Sequence, residues 1–211
     1  MPRPSARDKL LDAALTEIRV RGYSATTVDD LCAAAGVTKG AFFHHFRSKD
    51  DLAVAAADHW SAMTGALFAG ADYHRQADPL DRILAYVDFR RSLIAGETAT
   101  FTCLVGTMVQ EAYAAHPDIA TACGRSIFGH AATLEADIAA AMAARGIAEG
   151  GMAEGAWSAA SLARHTQAVI QGAFILAKAG GGAAVAVEQI DHLRRYIQLL
   201  FQVATDRETA P

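Results

Sequence analysis

From Thr27 to Phe46 the chain reads TVDDLCAAAGVTKGAFFHHF, and the types and spacing of these residues suit contact with a phosphate backbone and base edges. Thr27 and Thr38 stand at two helix starts, where a hydroxyl and unpaired backbone N–H groups attract phosphate oxygens. Lys39 follows at the leading end of the second helix, with the reach and charge to address guanine O6 or N7. Gly40 leaves room for close approach, and Ala41 can touch a thymine methyl. Phe43 shares that helix. His44, about one turn beyond Gly40, reads or clamps the backbone, and Lys49 adds a charge at the next helix start. Lys39 is expected to set base choice, and Lys49 to supply affinity for any sequence. The run Phe42–Phe46 also has the composition of a stacking platform for single strands, but its helical context favours packing.

These residues need a scaffold, and the flanking sequence supplies one. Thr27 with Asp30 three residues on forms a capping box, Gly36 supplies a tight turn, and Thr38 caps the next short helix. The product is a helix-turn-helix, whose second helix enters the major groove. Leu31, Val37, Phe42 and Phe46 are expected in its core. A preceding helix over 5–21 carries Leu11, Ala14, Leu15 and Ile18 on one face and ends at Gly22, a candidate left-handed cap. Ser48 with Asp51 starts a longer helix through Trp60, Met63 and Leu67. It is the continuous element joining head to body, and tilting it would change the spacing of paired reading heads.

Past Gly70 the sequence predicts helices only. Asp78-Pro79 is a strong helix start. Apolar periodicity then marks helices over about 79–95, 102–115, 117–146, 156–179 and 184–204, the last two joined by Gly180-Gly181-Gly182. Their apolar faces are wider than one intramolecular contact needs, which predicts a homodimer through Ile170, Phe174, Leu193, Tyr196, Ile197 and Leu200. Trp60, Met63, Phe89, Cys103, Met108, Gln110, Tyr113, Trp157, His165 and Phe174 combine aromatic bulk with isolated polar groups. That is the mixture a pocket for a small apolar effector needs, although each taken singly reads as core. The fold class is therefore all-α: a helix-turn-helix DNA-binding domain over 1–50 and a helical effector-binding and dimerisation domain over 51–211.

Charge agrees with that division. The whole chain carries −4. Residues 1–50 hold eight Lys/Arg against six acids, net +2, which leaves −6 for the body. Cys32, Cys103 and Cys123 form no framework, which predicts a reduced, cytoplasmic protein. No apolar core follows Met1-Pro2-Arg3, so no signal peptide is expected. Charges interrupt each apolar stretch, so no membrane span is expected. No metal-ligand spacing, cofactor loop or nucleophile motif occurs, so neither metal, cofactor nor catalysis is expected. The rival from another class is a helical small-molecule carrier or enzyme that does not bind DNA.

Residues 8–55 resemble the tetracycline-repressor-like (TetR) family of bacterial regulators. Arg21-Gly22-Tyr23-Ser24-Ala25-Thr26-Thr27-Val28 resembles its link into the second helix, Ala35–Gly40 its turn, and Phe46–Leu52 its entry to helix four. More loosely, Cys103–Gly106, Gln110-Glu111 and Gln171–Lys178 resemble a C-terminal pattern of the family. The resemblance implies an all-helical homodimer that represses until a small molecule releases it. A two-fold dimer presents its reading helices one or more duplex turns apart, which predicts a near-palindromic double-stranded operator. Activation in place of repression is equally compatible with this sequence. Phe43 departs from the family's usual tyrosine, whose hydroxyl reaches a phosphate. Some branches resembling this chain around Cys103 sense electrophiles or oxidants there, which implies an alternative signal.

Overall fold

The protein is described by a computed structural model covering residues 4–148 and 157–208, with side chains as far as Gln202. Among the described residues ten α-helices succeed one another: α1 Ala6–Arg21, α2 Val28–Ala35, α3 Lys39–His45, α4 Lys49–Ala69, α5 Pro79–Ser92, α6 Thr98–Phe101, α7 Leu104–Ala112, α8 Pro117–Ala144, α9 Ala159–Leu176 and α10 Gly182–Glu208. No strand occurs among the described residues. The starts expected at Thr27 and Asp78 hold, whereas those expected near 102, 156 and 184 fall at Leu104, Ala159 and Gly182. Ser5 and Thr27 each form a capping box, and Asp78 caps α5 with Pro79 at its first position. Two short elements escape the periodicity, a 3-10 turn at Asp72–Arg75 and α6, because four residues are too few to show a period. Gly22 is not a left-handed cap. Its φ of 89° and ψ of 163° lie in a region essentially reserved for glycine.

Contacts sort the chain into two units: residues up to Phe68 with Thr102–Ile127, and Ala69–Phe101 with the described residues from Phe128 onward. This differs from a cut at residue 50. In the first unit, Leu10, Leu11, Leu15 and Ile18 of α1 meet Leu31, Phe42 and Phe46, and Leu52, Ala53, Ala56 and Ala57 of α4 belong to the same core. So do Leu104, Val105 and Met108 of α7 and Ile119 and Cys123 of α8. Burial pushes the Cys123 thiol up to about 12, with the Cys103 charge adding to it.

In the second unit, Ile83 and Val87 of α5, Leu134 and Ile138 of α8, Leu162 and Ile170 of α9, and Ile190, Leu193, Ile197 and Phe201 of α10 are buried. Ion pairs tie the helices: Arg82–Asp137 at 2.5 Å, Arg91–Asp191 at 2.8 Å and Arg194–Asp88 at 2.9 Å. The stretch Ala159–Gln202 contains an 18-residue window of mean hydropathy 1.4, long and apolar enough by composition to cross a membrane, against the expectation of no span. Gly180 breaks that stretch with non-helical angles (φ 118°, ψ −3°), so α9 and α10 are two helices rather than one rod.

The chain itself covers four of the six residues expected at a dimer interface: Ile170, Phe174, Leu193 and Ile197 are buried. Leu200 is half-buried and Tyr196 exposed. Periodicity assigned the apolar face correctly but could not say which part of it the intramolecular hairpin uses. Among the described side chains, the large apolar residues exposed on α9 and α10 are Ile175, Leu176, Tyr196 and Leu199. Val169, Gly172, Ala173, Ile175, Leu176 and Gln189 line an open groove of about 410 Å³.

Candidate nucleic-acid interface

The head is built by local rules. Thr27 Oγ1 accepts the Asp30 N–H at 3.1 Å, and its own N–H and hydroxyl donate to Asp30 Oδ2 at 2.9 and 2.6 Å. These bonds hold the Asp30 carboxyl below its ordinary range, with Arg21 helping. Gly36 adopts the left-handed conformation (φ 62°, ψ 41°) and donates to Ala33 and Cys32 carbonyls, closing α2 and turning the chain. Thr38 Oγ1 accepts the Ala41 N–H at 3.1 Å and starts α3. Phe42 and Phe46 then bury one side of α3 while Lys39, Gly40, Phe43 and His44 remain exposed on the other.

The exposed side carries most of the residues expected to meet DNA. Thr27 and Thr38 are exposed and Ala41 is half-buried. Phe43 is 56% exposed, its ring held edge-on against Phe42 at 5.1 Å. A Cβ built on Gly40 would meet only Thr38 Oγ1, at an ordinary 3.7 Å, so nothing inside the chain demands glycine there. Lys39 Nζ lies 2.8 Å from Asp29 Oδ1, a pairing that raises its pKa. The sequence offered no sign of it, because the two residues lie on different helices.

Lys49 is corrected. Its ammonium donates to the Tyr23 and Thr26 carbonyls, both at 3.0 Å, and lies 4.2 Å from the Tyr23 ring centroid. It braces the α1–α2 turn rather than standing free for a phosphate. Exposed cations that sequence reasoning passed over are Arg7, which packs over the Phe46 ring, and Arg47, paired loosely with Asp51 at 3.3 Å. Tyr23 donates its hydroxyl to Asp50. Burial, then this carboxylate, raises the Tyr23 phenol, and the same hydrogen bond lowers Asp50.

The expected effector residues fall in both units. In the first, Met108 is core, Trp60 lies under the Arg19 guanidinium at 5.3 Å, and Met63 and Tyr113 are exposed. Gln110 is exposed, and its side-chain amide donates to the Gly106 carbonyl at 2.7 Å. Cys103 caps α7, its sulfur accepting the Gly106 N–H at 3.4 Å. In the second unit, Phe89 packs on Tyr73, Trp157 edge-on against Phe201, and Phe174 on Phe101, while His165 is exposed beside Tyr196.

Sequence reasoning missed a buried polar cluster in the second unit. Tyr86 Oη lies 2.9 Å from His130 Nε2 and accepts Gln167 Nε2–H at 3.2 Å. Burial, then the Arg90 charge, pushes His130 down to about 4. Each member lies on a different helix, so no spacing announces it. Among the described residues no group of three or more His, Cys, Asp or Glu is placed to hold a metal.

Residues 10–56 match the profile of the bacterial regulatory proteins of the tetR family. The chain is 31% identical over 106 residues to the transcriptional regulator AcuR of Cereibacter sphaeroides, covering 50% of this chain and 48% of that protein. It is 46% identical over 48 residues to the transcriptional repressor KstR2 of Mycolicibacterium smegmatis, 23% of each. The matches thus span about half the length, or less, of these curated relatives. The fold is similar to that of a regulatory protein TetR from Rhodobacter sphaeroides, with a TM-score of 0.76 and 24% identity over 90% of this chain and 97% of that one. With a capped helix-turn-helix at its head and helices throughout its described length, the chain carries over residues 10–56 the N-terminal domain of the tetR family of bacterial regulatory proteins and shares the fold of a TetR structure.

Proposed function

We propose that the chain binds double-stranded operator DNA in sequence-specific fashion in the cytoplasm, as a homodimeric repressor released by a small effector. The observation carrying this reading is the outer side of α3. Lys39, Gly40, Phe43 and His44 are exposed there on a helix whose other side is locked into the core by Phe42 and Phe46. Thr27 and Thr38 supply capped helix starts for phosphates, Ala41 a methyl for base edges, and Gly40 the clearance. Lys49 serves by bracing the turn. Residues 1–50 act as the reading head, and 51–211 as the effector-binding, dimerising body.

The exposed stripe of Ile175, Leu176, Tyr196 and Leu199, with the groove beside it, is the face for the second copy. The effector is mostly apolar. Phe89, Trp157 and Phe174 offer it aromatic area in the second unit, and Tyr86, His130 and Gln167 offer it orientation. The test is selection of duplexes from a random pool, followed by titration against salt. A near-palindromic consensus bound by a particle of two-chain mass, with affinity falling steeply with salt, is expected. A one-chain mass, or no enriched duplex, refutes the reading and favours a carrier.

A second signal is favoured by Cys103, whose sulfur sits at the positive end of α7 on the Gly106 N–H. Arg19, lowered by burial, is within electrostatic reach of it. On this reading an electrophile modifies Cys103 and frees the operator. Release by N-ethylmaleimide that persists in Cys103→Ser excludes it.

A further inference from the structure

The turn between α1 and α2 is held from outside the helix-turn-helix. Glu111, in the last turn of α7, presents both carboxylate oxygens to it: Oε1 accepts the Tyr23 N–H at 3.3 Å and Oε2 the Ser24 N–H at 2.7 Å. Gly22 makes the space, since a Cβ built there would collide with the Glu111 carboxylate. At the exit of α7, His116 Nδ1 lies 2.8 Å from Asp50 Oδ2, and Asp50 Oδ1 accepts the Tyr23 hydroxyl. The His116 ring stands edge-on to Tyr23 at 5.3 Å. Backbone and side chain of one turn are thus fastened to α7 and its exit, three residues before Thr27 caps α2.

Glu111 is exposed, so hydrophobic burial does not account for it. An anion in a DNA-facing unit also opposes DNA electrostatically. A carboxylate placed there in spite of that cost acts through the two N–H groups it holds. We propose that Glu111, supported by the His116–Asp50 pair, is a positioning residue for DNA reading: it fixes the α1–α2 turn and so the angle at which α2 and α3 meet the duplex. The proposal rests on the DNA-binding reading above. It also makes α7 a second route by which events elsewhere in the chain reach the head, beside α4. The helix that follows it, α8, starts at Pro117 and continues past Ile127 into the second unit.

Charge and position predict opposite signs for Glu111→Gln, which keeps shape and removes the charge. Affinity is measured for the full-length chain on a duplex selected by the wild type and on an unrelated duplex, alongside thermal unfolding and amide exchange. Loss of charge alone tightens both complexes. Loss of positioning weakens the selected complex by about tenfold or more, the worth of a charge-assisted hydrogen bond. The unrelated complex is then unchanged or tighter, the unfolding midpoint is kept, and the Tyr23 and Ser24 amides exchange faster. His116→Asn shifts the selected complex in the same direction by less. Selected-duplex affinity equal to or above wild type in Glu111→Gln overturns the proposal. So does parallel loss of both complexes with a lowered midpoint, which marks a structural brace. A wild type that selects no duplex fails earlier, at the DNA-binding reading itself.

Discussion

Lys49 carries a charge beside the reading helix, yet two carbonyl oxygens and an aromatic face already occupy its ammonium. Removing it strands two acceptors, so Lys49→Ala is expected to cost about 1–3 kcal/mol of stability. The slope of log affinity against log salt should stay at the wild-type value; denaturant unfolding and titration at several salt concentrations check both. Gly40 is the converse. Alanine there meets no clash and gains roughly 0.5–1 kcal/mol of helix propensity. Gly40→Ala should therefore be at least as stable as wild type while binding its operator more weakly, because the new methyl occupies the space the duplex needs. Equal affinity would remove the close-approach role. Lys39→Ala remains the variant expected to alter base preference, now with Asp29 released from its pairing.

Among the elements, helix starts were the most legible part of the sequence. Thr27 with Asp30, Thr38, and Asp78 with Pro79 act within three residues of themselves, so the chemistry that caps each helix is written beside it. What the sequence could not disclose are contacts between elements. Glu111 on the Tyr23 and Ser24 amides spans 88 and 87 positions, and Tyr86 with His130 spans 44. Neither leaves a local signature, and the effector residues inferred from composition were dispersed for the same reason. The Tyr86–His130–Gln167 tie between α5, α8 and α9 carries its own prediction. Held down to about 4, His130 stays neutral in the folded chain, whereas the unfolded chain binds a proton below 6.5. Stability therefore falls as pH drops from about 6.5 to about 4, by up to about 3 kcal/mol. The lowered carboxylates Asp30, Asp50 and Asp78 lose their contribution in a more acidic window. Denaturant unfolding at pH 7 and pH 4.5 should show a much smaller difference in His130→Gln.

For the whole molecule, the proposed homodimer rests on the part of α9 and α10 that the chain does not cover for itself. Ile175→Glu combined with Leu199→Glu places two charges on exposed positions, so each chain should still fold. Light scattering should then give one-chain mass, and operator affinity should fall by about 10²-fold or more as the second reading head is lost. Unchanged mass would move the interface elsewhere. The Asp29–Lys39 pair has a bearing on how such a molecule travels over a chromosome. Its one cation at the tip of α3 is already neutralised by a carboxylate of its own, 2.8 Å away. On the proposed reading, random duplex then offers that tip less attraction than a free ammonium would, and an encounter at the wrong place is brief. On the same reading, a base edge that competes Lys39 away from Asp29 is what turns a passing visit into a long stay.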